Sequence, residues 1–396
     1  MYPTTLAVDI PSLSAPLTLD IGALYQQFQR VPDGRKRRGK RYPLAVLLTI
    51  AVLAKLAGAS TVRALADWAQ LRAHEFADLF ELPRAVMPHP TTWTRVFGHA
   101  VAVEAIEQAV AALSAPGASA EVPARGSIII NLDGKALRGT IALGQTAGVH
   151  LLAAYQTESG SVRAQMAVDR KTNEIGAAPT LLRHLDLRGV VVTGDAIFAQ
   201  RELSTQIVEA GGDYFWWVKD NQPSLLADVT LLFDPECVAG GWSAPPVDFT
   251  WATSLEKGHG RLELRHLTAS SLLAGYSDWP YLAQAVNVER TRITALKREQ
   301  DLAFGITSLP TLHADAARLL RIGRAHWGIE NGLHYRRDVT LGEDASQVRR
   351  GQAPQVLAAL NNLVCGLVLP GGVRNLAEFQ RICARRLDQW LDRQRC

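Results

Sequence analysis

The sequence predicts a mixed α/β protein in which a helical N-terminal part precedes strands and helices in alternation. Three observations carry this prediction. Residues 43–115 read as helices throughout, two short apolar runs at 128–132 and 189–193 have the composition of strands buried on both faces, and an amphipathic stretch at 319–334 keeps apolar residues at helical spacing. The 396 residues are enough for two or three domains, and 47% of them are hydrophobic, which argues against global disorder.

The N-terminal arm, residues 1–42, is predicted to be loop-rich with one short helix at 21–29. Its basic run at 35–41 holds six positive charges in seven residues, among them Arg35, Lys36, Arg37 and Arg38. Such a run is the electrostatic footprint of a polyanion partner, while a solvated face is the alternative interpretation. The net charge of +4 by itself neither requires nor excludes nucleic acid.

The helical N-terminal domain is predicted at residues 43–115, with DNA binding as its role and helices at 43–57, 61–80, 91–99 and 102–114. The pair 61–80 and 91–99 fits a helix-turn-helix variant, and a plain helical bundle fits equally well. The apolar run at 44–54 is too short to span a bilayer and is interpreted as a buried helix. Pro and Gly within 115–119 predict a linker.

Alternating strands and helices follow the linker. The run at 127–132 ends at Asp133, two further strands are predicted at 150–156 and 162–169, and the run at 189–193 ends at Gly194 and Asp195. A helix at 200–210 and an aromatic strand at 213–219 complete this part, which is predicted to form one α/β core from residues 120–222 and 306–350. Residues 223–305 are predicted as a strand-rich insertion, and helices close the chain at 351–396.

The four cysteines are widely spaced and form no cluster with histidines, so the sequence indicates neither a zinc site nor a disulfide framework. Free thiols fit a reducing cytoplasm.

Three carboxylates are the candidate chemical groups. Asp133 and Asp195 each end a buried strand beside a glycine, and ligands bind at the carboxyl ends of strands in open α/β sheets. Glu330 shares one predicted helix face with His326, His334 and Arg337, an arrangement that favours a charge partner such as a metal ion. Hard oxygen donors suit Mg²⁺ or Mn²⁺, and a two-metal site serves in-line displacement at phosphorus. Taken singly, each Asp is commonly a turn former, and a lone helical Glu is usually a surface residue.

Several motifs together resemble the DDE transposases of bacterial insertion sequences, in particular the ISAs type that includes the H-repeat-associated proteins. The motifs are Asn131–Gly139, Thr193–Ala196 with Gln200, Asp213–Gln222, Glu256–Glu263 and His326–Asn331. Residues 35–96 resemble the helical N-terminal domain of the same branch, so the likeness covers about residues 30–370. The wider superfamily places a tyrosine, an arginine and a lysine around its glutamate. Gly323, His326 and Arg337 occupy those positions here, so the tyrosine is absent.

The resemblance implies an RNase H-like catalytic core, two Mg²⁺ ions that Mn²⁺ can replace, and a catalytic and metal-binding triad of Asp133, Asp195 and Glu330. Asp133 would bridge both ions. The implied partner is double-stranded DNA, both transposon ends and target. The resemblance also implies a homodimer in the DNA-bound state, located in the cytoplasm at the nucleoid, with no membrane. Residues expected to contact DNA are Lys135, Arg138, Lys219, Arg261, His326, Arg337, Arg35, Lys36, Arg37 and Arg38.

Some roles stay open at this point. His326 or His334 would orient a carboxylate or contact the scissile phosphate, and Asn221 and Gln222 would contact bases or cap a turn. Trp242, Trp251 and Trp279 are weaker candidates for stacking on a flipped base, whereas Trp216 and Trp217 are expected in the core. A metal-dependent endonuclease and an inactive DNA-binding remnant are the alternative functions. A zinc hydrolase is disfavoured because the His-Glu-x-x-His spacing is missing.

Overall fold

The computed structural model describes residues 5–36, 38, 40–114, 123–169, 173–234, 248–258 and 260–393. Its strands are β1 (Thr5–Val8), β2 (Leu17–Asp20), β3 (Ile128–Leu137), β4 (Val149–Gln156), β5 (Ser161–Val168), β6 (Val190–Gly194), β7 (Asp213–Val218), β8 (Thr250–Gly258), β9 (Arg261–Ser270), β10 (Gln284–Ile293) and β11 (Arg298–Thr307). Its helices are α1 (Ile21–Gln29), α2 (Leu44–Leu56), α3 (Val62–Leu71), α4 (Ala73–Leu79), α5 (Pro90–His99), α6 (Val103–Ser114), α7 (Glu174–Leu182), α8 (Arg201–Glu209), α9 (Pro223–Leu232), α10 (Ala316–Ala325), α11 (Ala353–Val368) and α12 (Leu376–Arg393). Two π-helical segments, π1 (Glu330–His334) and π2 (Arg336–Thr340), precede α11.

The chain divides into two compact units. The terminal unit combines residues 1–118, 134–169 and 330–396, and the central unit combines residues 119–133 and 170–329. The division falls inside β3, so this strand contributes residues to both units.

The central unit is built on a sheet with the strand order β3, β6, β7, β11, β10, β9, β8. The first three strands are parallel, and α8 provides the crossover that connects β6 to β7. The remaining strands are antiparallel neighbours. This architecture confirms the predicted mixed α/β class. Within the described part of 223–305, helix α9 comes first, and strands β8 to β10 and most of β11 follow.

Strand β7 anchors the core of the central unit because all six of its residues are buried. Phe215 and Trp217 share an apolar cluster with Leu319 of α10. Trp216 points to the other face, where its indole Nε1 donates a hydrogen bond to Ser204 Oγ of α8 at 2.9 Å. The prediction that Trp216 and Trp217 belong to the core is therefore confirmed.

The terminal unit joins the N-terminal and C-terminal helices in one core. All 13 residues of α2 are buried, and α11 packs against α2, α5 and α6, while α12 packs against α2 and α4. A helix as apolar as α11 needs packing partners on several sides. The C-terminal helices alone do not supply them, so helices of the N-terminal part are also needed. The prediction of two separate helical parts, 43–115 and 351–396, is corrected accordingly. The predicted linker at 115–119 lies outside the described residues.

The predicted helix at 61–80 consists of two helices, α3 and α4, which meet at Arg72. Ten residues then separate α4 from α5, and this connection at 80–89 is longer than the short turn of a helix-turn-helix unit. The structure therefore favours the bundle interpretation over the helix-turn-helix variant.

Among the residues that the structure describes, one helical stretch, Ala353–Gly371, is long and apolar enough to cross a membrane by length and composition, and 72% of its most apolar window is buried inside the protein. This degree of burial is typical of a helix in a protein core. Cys365 and Cys383 are free and buried, as expected from the sequence, and Cys237 and Cys396 lie outside the described residues.

Glu107 of α6 gives the terminal unit a predicted pH dependence. Burial raises the pKa of its carboxyl to about 8, although Gln165 Nε2, which donates to it at 2.7 Å, and the nearby Arg337 act in the lowering direction. The folded pKa exceeds the ordinary value of 4.5, so the folded state keeps a proton that the unfolded chain releases. Stability should therefore fall as the pH rises from about 4.5 to about 8.

We expect Glu107→Gln, which stays neutral, to remove this loss. At pH 5 the variant and the wild type should unfold with similar free energies. At pH 8.5 the variant should be more stable by on the order of 2 kcal/mol, a modest value because the residue keeps partial exposure. Denaturant unfolding at the two pH values measures the difference, with Glu104→Gln on the exposed side of α6 as the control. Parallel pH profiles for Glu107→Gln and wild type would contradict the assignment.

Candidate active site

Asp133 and Asp195 lie at matched positions on neighbouring parallel strands. Strands β3 and β6 pair in register through Leu132 and Gly194, and each aspartate is the next residue along its strand direction. Neighbouring strands are roughly 4.8 Å apart, and Asp195 keeps extended backbone angles, with φ −64° and ψ 166°. The two aspartates are therefore neighbours on adjacent strands of the sheet.

The face of the sheet that carries them is identified by Asn131 and Thr193, which lie two residues earlier on the same strands. Thr193 Oγ1 donates a hydrogen bond to Asn131 Oδ1 at 2.6 Å, and Asn131 Nδ2 donates to the carbonyl of Ala325 at 2.7 Å. Because side chains alternate along a strand, Asp133 and Asp195 follow on this same face. The fully buried Asn131 thus connects the end of α10 to the strand before Asp133. A lone Asn inside an apolar run was the available sequence signal, and no role was assigned to it.

The Asp195 carboxylate is half-exposed, and its closest cation is Lys219, whose Nζ lies 3.1 Å from Oδ1. Partial burial raises the pKa of Asp195, but the Ala196 amide and Lys219 lower it more, so the net pKa lies below the ordinary value. The Asp195 carboxyl is therefore ionised at neutral pH. Lys219, expected at a DNA phosphate, contacts this carboxylate.

The turn after β7 is held by side-chain amides. Asn221 Nδ2 donates to the Ala196 carbonyl at 2.7 Å, and Gln222 Nε2 donates to the Ala199 carbonyl at 2.8 Å. Of the two roles left open for this pair, the structure supports the structural one, because these contacts tie the turn to the segment that follows Asp195.

His326 is 9% exposed, and its Nδ1 is buried without a hydrogen-bond partner. Burial lowers the pKa of its imidazole, and the nearby Asp195 raises it by less, so the ring is neutral. The ring packs at 5.8 Å, edge to face, against Trp327, which in turn lies 5.5 Å from Trp217. A neutral, buried ring suits hydrogen bonding to a carboxylate better than a charge contact with DNA.

The predicted single amphipathic helix through 319–334 is wrong. Helix α10 ends at Ala325, a turn follows at His326 and Trp327, and π1 begins at Glu330. A π-helix closes i→i+5 hydrogen bonds, so its wider turns change which side chains share a face. Accordingly Glu330 is exposed whereas His326 and Arg337 are buried. Burial, with Arg337 and Lys135 nearby, lowers the pKa of His334 to about 3, so this ring is also neutral.

Two residues predicted to contact DNA are engaged within the protein instead. Arg35 makes a two-point ion pair with Asp33, at 2.9 Å for both Nε and Nη2, and its side chain is only 13% exposed. Lys135 Nζ lies 2.6 Å from Asp338 and 3.5 Å from Asp344, with 9% of its side chain exposed. Carboxylates compete directly with phosphate for these cations, so the expected DNA contacts of Arg35 and Lys135 are corrected.

Arg337 is the clearest correction, since its side chain has no exposed surface. Its Nε donates to both carboxylate oxygens of Glu343, at 2.9 and 3.0 Å, and its Nη1 donates to Gln165 Oε1 at 2.9 Å and Asn362 Oδ1 at 3.2 Å. The guanidinium group is surrounded by protein on all sides, so Arg337 does not reach a DNA phosphate.

The other predicted contact residues are accessible. Lys36 and Arg38 are exposed, and Arg37 lies outside the described residues. Arg138 is 81% exposed, 3.8 Å from Asp344. Arg261 is 46% exposed beside Glu263. These side chains keep the DNA-contact prediction open.

The candidate stacking residues differ in exposure. Trp251 on β8 is 68% exposed and stacks on His266 at 6.0 Å. Trp279 is 3% exposed, so its predicted stacking on a flipped base is corrected, and the Arg201 guanidinium lies 5.3 Å from its ring centre. Trp242 lies outside the described residues.

Within the part of the chain that the structure describes, no three side chains of His, Cys, Asp or Glu form a group that could hold a metal ion. The two aligned aspartates have the donor chemistry for a divalent ion, since both offer hard carboxylate oxygens from adjacent strands. The predicted strand end at Asp133 is corrected, because β3 continues to Leu137. The structure therefore aligns two of the three predicted carboxylates, and the cluster of three stays a prediction.

Comparison with known proteins decides the family. A model described as the transposase DDE domain matches residues 126–365, and a model of the domain associated with it matches residues 25–113. This chain belongs to the DDE transposases.

Relatives of the transposase agree with this membership. The protein YncI of Escherichia coli O157:H7 is 26% identical over 90% of this chain and 91% of its own length. The H repeat-associated protein YhhI of E. coli strain K12 is 31% identical over 61% of this chain and 64% of its own length. Both are named as proposed transposases, and together with the family match they support the ISAs type.

A protein of Xanthobacter autotrophicus without an assigned function is 34% identical to the transposase over 67% of this chain and 87% of its own length. A solved synaptic complex of piggyBac transposase with hairpin DNA aligns with 94% of this chain and 78% of its own at a TM-score of 0.40 and 11% identity. A likeness that weak carries no argument.

Proposed function

We propose that this transposase binds the terminal inverted repeats of an insertion sequence, hydrolyses the phosphodiester at each end, and joins the 3′-hydroxyl to target DNA. The observation that carries the proposal is the register of β3 and β6, which puts Asp133 and Asp195 side by side inside the matched DDE domain. The parallel strands β3, β6 and β7, with the α8 crossover, support an RNase H-like core.

Asp133, Asp195 and Glu330 are the proposed catalytic triad, and their carboxylates would hold two Mg²⁺ ions, or Mn²⁺. Such ions activate an attacking oxygen and stabilise the leaving oxygen of an in-line displacement. Asp133 would be one of the metal ligands. Asp195 is suited to metal ligation because the pKa of its carboxyl is low. Lys219 would hold the Asp195 side chain in position by pairing with one carboxylate oxygen. His326, buried and neutral near Asp195, is proposed to orient that carboxylate by a hydrogen bond.

The experiment that tests the function supplies purified protein with two DNA ends carrying the inverted repeats, a target plasmid and Mg²⁺. Cleaved ends joined to the target through their 3′-hydroxyls are the expected product, and crosslinking of the DNA complex should show two protein copies. Cleavage without joining would instead identify a metal-dependent endonuclease. Binding of the ends with neither reaction would identify an inactive DNA-binding remnant.

The exposed part of the basic run gives a prediction about salt. Lys36→Gln with Arg38→Gln should flatten the plot of log K for DNA against log salt by about 1.8, because each phosphate contact contributes a slope of about 0.9. Substitution is preferable to deletion of residues 1–41, since Ile21, Leu24 and Phe28 of α1 are buried in the core. Fluorescence anisotropy across a salt series measures the slope.

The matched control for the basic run is Arg188→Gln, since Arg188 is exposed but held by Asp186 at 2.5 Å. Its slope should equal that of the wild type. An unchanged slope in the Lys36 and Arg38 double variant would show that the run is a solvated face.

A further inference from the structure

Arg337 lies at the centre of a buried polar network in the terminal unit. Glu343, its ion-pair partner, is 7% exposed and also accepts a hydrogen bond from Asn361 Nδ2 at 2.9 Å. Asn361 Oδ1 accepts from Lys55 Nζ of α2 at 2.7 Å. An ion pair withdrawn from water costs several kcal/mol per charge unless it is hydrogen-bonded. These contacts bond Nε and Nη1 of Arg337, while Nη2 lies 2.7 Å from Glu343 Oε1 but is buried without a hydrogen-bond partner.

The network reaches several elements of the unit, including α6 through the hydrogen bond from Gln165 to Glu107. Arg337 belongs to π2, Gln165 to β5, Asn361 and Asn362 to α11, and Lys55 to α2. From α12, Gln380 Nε2 donates to the Lys55 carbonyl at 2.9 Å. Asn362 Nδ2 donates to Gln165 Oε1 at 3.0 Å, so the two amides that accept from Arg337 also bind each other. The position of π2 is thereby fixed from several sides.

The segment that this network holds has an unfavourable backbone. π-helical turns are rare and occur mostly as single turns at functional sites, yet π1 and π2 follow each other here. Arg336 Nη1 braces π1 by donating to the carbonyls of Asn331 at 3.1 Å and Gly332 at 2.6 Å. A Cβ on Gly332 would come within 2.5 Å of the Tyr155 hydroxyl, so only glycine allows this approach. Tertiary contacts therefore stabilise a conformation that the local sequence does not favour.

We propose that Arg337 and Glu343 are positioning residues that hold residues 330–340, and with them Glu330, without touching DNA. The importance of this for cleavage rests on the proposed function. The superfamily pattern instead expects a cation at this position to contact DNA. The two assignments differ in a measurable way, because a phosphate contact contributes to the salt dependence of DNA binding and a buried ion pair does not.

Arg337→Lys is the sharpest variant. A lysine keeps the charge, which satisfies a phosphate contact, but it lacks the planar fork that reaches Glu343, Gln165 and Asn362 together. We expect kcat for cleavage to fall about 100-fold, as for a displacement of roughly 1 Å at a reacting group. The Kd for the DNA ends and the salt slope should stay within error of the wild type. Hydrogen exchange at amides 330–340 should accelerate in the free protein.

Asn362→Ala is the milder companion variant, because it removes one hydrogen bond to Arg337 and keeps the ion pair. Hydrogen exchange at amides 330–340 should accelerate in this variant too. This readout remains available if Arg337→Lys is too unstable to assay. Arg381→Gln, an exposed arginine on α12, is the control and should change none of the readouts.

Three results would overturn the inference. They are a salt slope flattened by about 0.9 in Arg337→Gln, full activity in Arg337→Lys, or unchanged exchange at residues 330–340 in both Arg337→Lys and Asn362→Ala. Hydrogen exchange needs no DNA, so it supports or overturns the positioning role even if the wild type fails to cleave. Failure of the wild type to cleave would count against the proposed function alone.

Discussion

Asp133→Asn and Asp195→Asn are each expected to lower the rate of DNA-end cleavage by at least about 10³-fold. Removing one carboxylate charge costs the reaction several kcal/mol of stabilisation at the reacting oxygens, and each 1.36 kcal/mol is tenfold in rate. Affinity for the ends should stay within a few-fold, because the proposed phosphate contacts lie on other side chains. Single-turnover cleavage and anisotropy on the same DNA measure the two quantities.

Asp186→Asn is the matched control for these aspartates. Asp186 is an exposed aspartate of the central unit, paired locally with Arg188, and it lies shortly before β6. Its loss should leave cleavage unchanged. If Asp133→Asn or Asp195→Asn cleaves at the wild-type rate, or loses DNA binding at physiological salt, the assignment of the aligned pair is wrong.

Glu343→Gln is expected to destabilise the protein by about 3–5 kcal/mol. The substitution keeps the shape of the side chain but leaves the Arg337 charge buried without its counter-ion, and an uncompensated buried charge costs this much. Glu104→Gln makes the same chemical change at an exposed position of α6 and should stay within about 0.5 kcal/mol. Denaturant titration followed by circular dichroism gives both values.

A second variant separates the ion pair from the fold. Arg337→Met combined with Glu343→Leu removes both charges, and much of the stability lost in Glu343→Gln should return, since apolar replacements of buried pairs are often well tolerated. Activity should not return with it, because the hydrogen bonds from the guanidinium to Gln165 and Asn362 are gone. A Glu343→Gln variant as stable as the wild type would contradict the account of this pair.

Burial explains why some of the predicted DNA contacts are corrected and others remain open. A basic side chain can pair with a carboxylate as well as with a phosphate. Arg35 and Lys135 form ion pairs with carboxylates of the same chain. Asp33 is only two residues from Arg35, so that pair was open to prediction. Asp338 is 203 residues from Lys135, and only the fold brings them together.

The sequence by itself indicated the strands that carry Asp133 and Asp195, because short, largely β-branched runs such as Ile128–Leu132 and Val190–Val192 are typical of strands buried on both faces. Its motifs also determined the family, which the matched DDE domain confirms.

Tertiary structure alone decided the rest. The predicted helix is interrupted by a turn at His326 and Trp327, and π-helical segments begin at Glu330. The fold also buries Arg337. Helical spacing describes one segment in isolation, whereas the partners of Arg337 come from elements up to 172 residues away in the sequence. Their combined hydrogen bonds outweigh the local preference for a regular helix, and no periodicity within the segment records them.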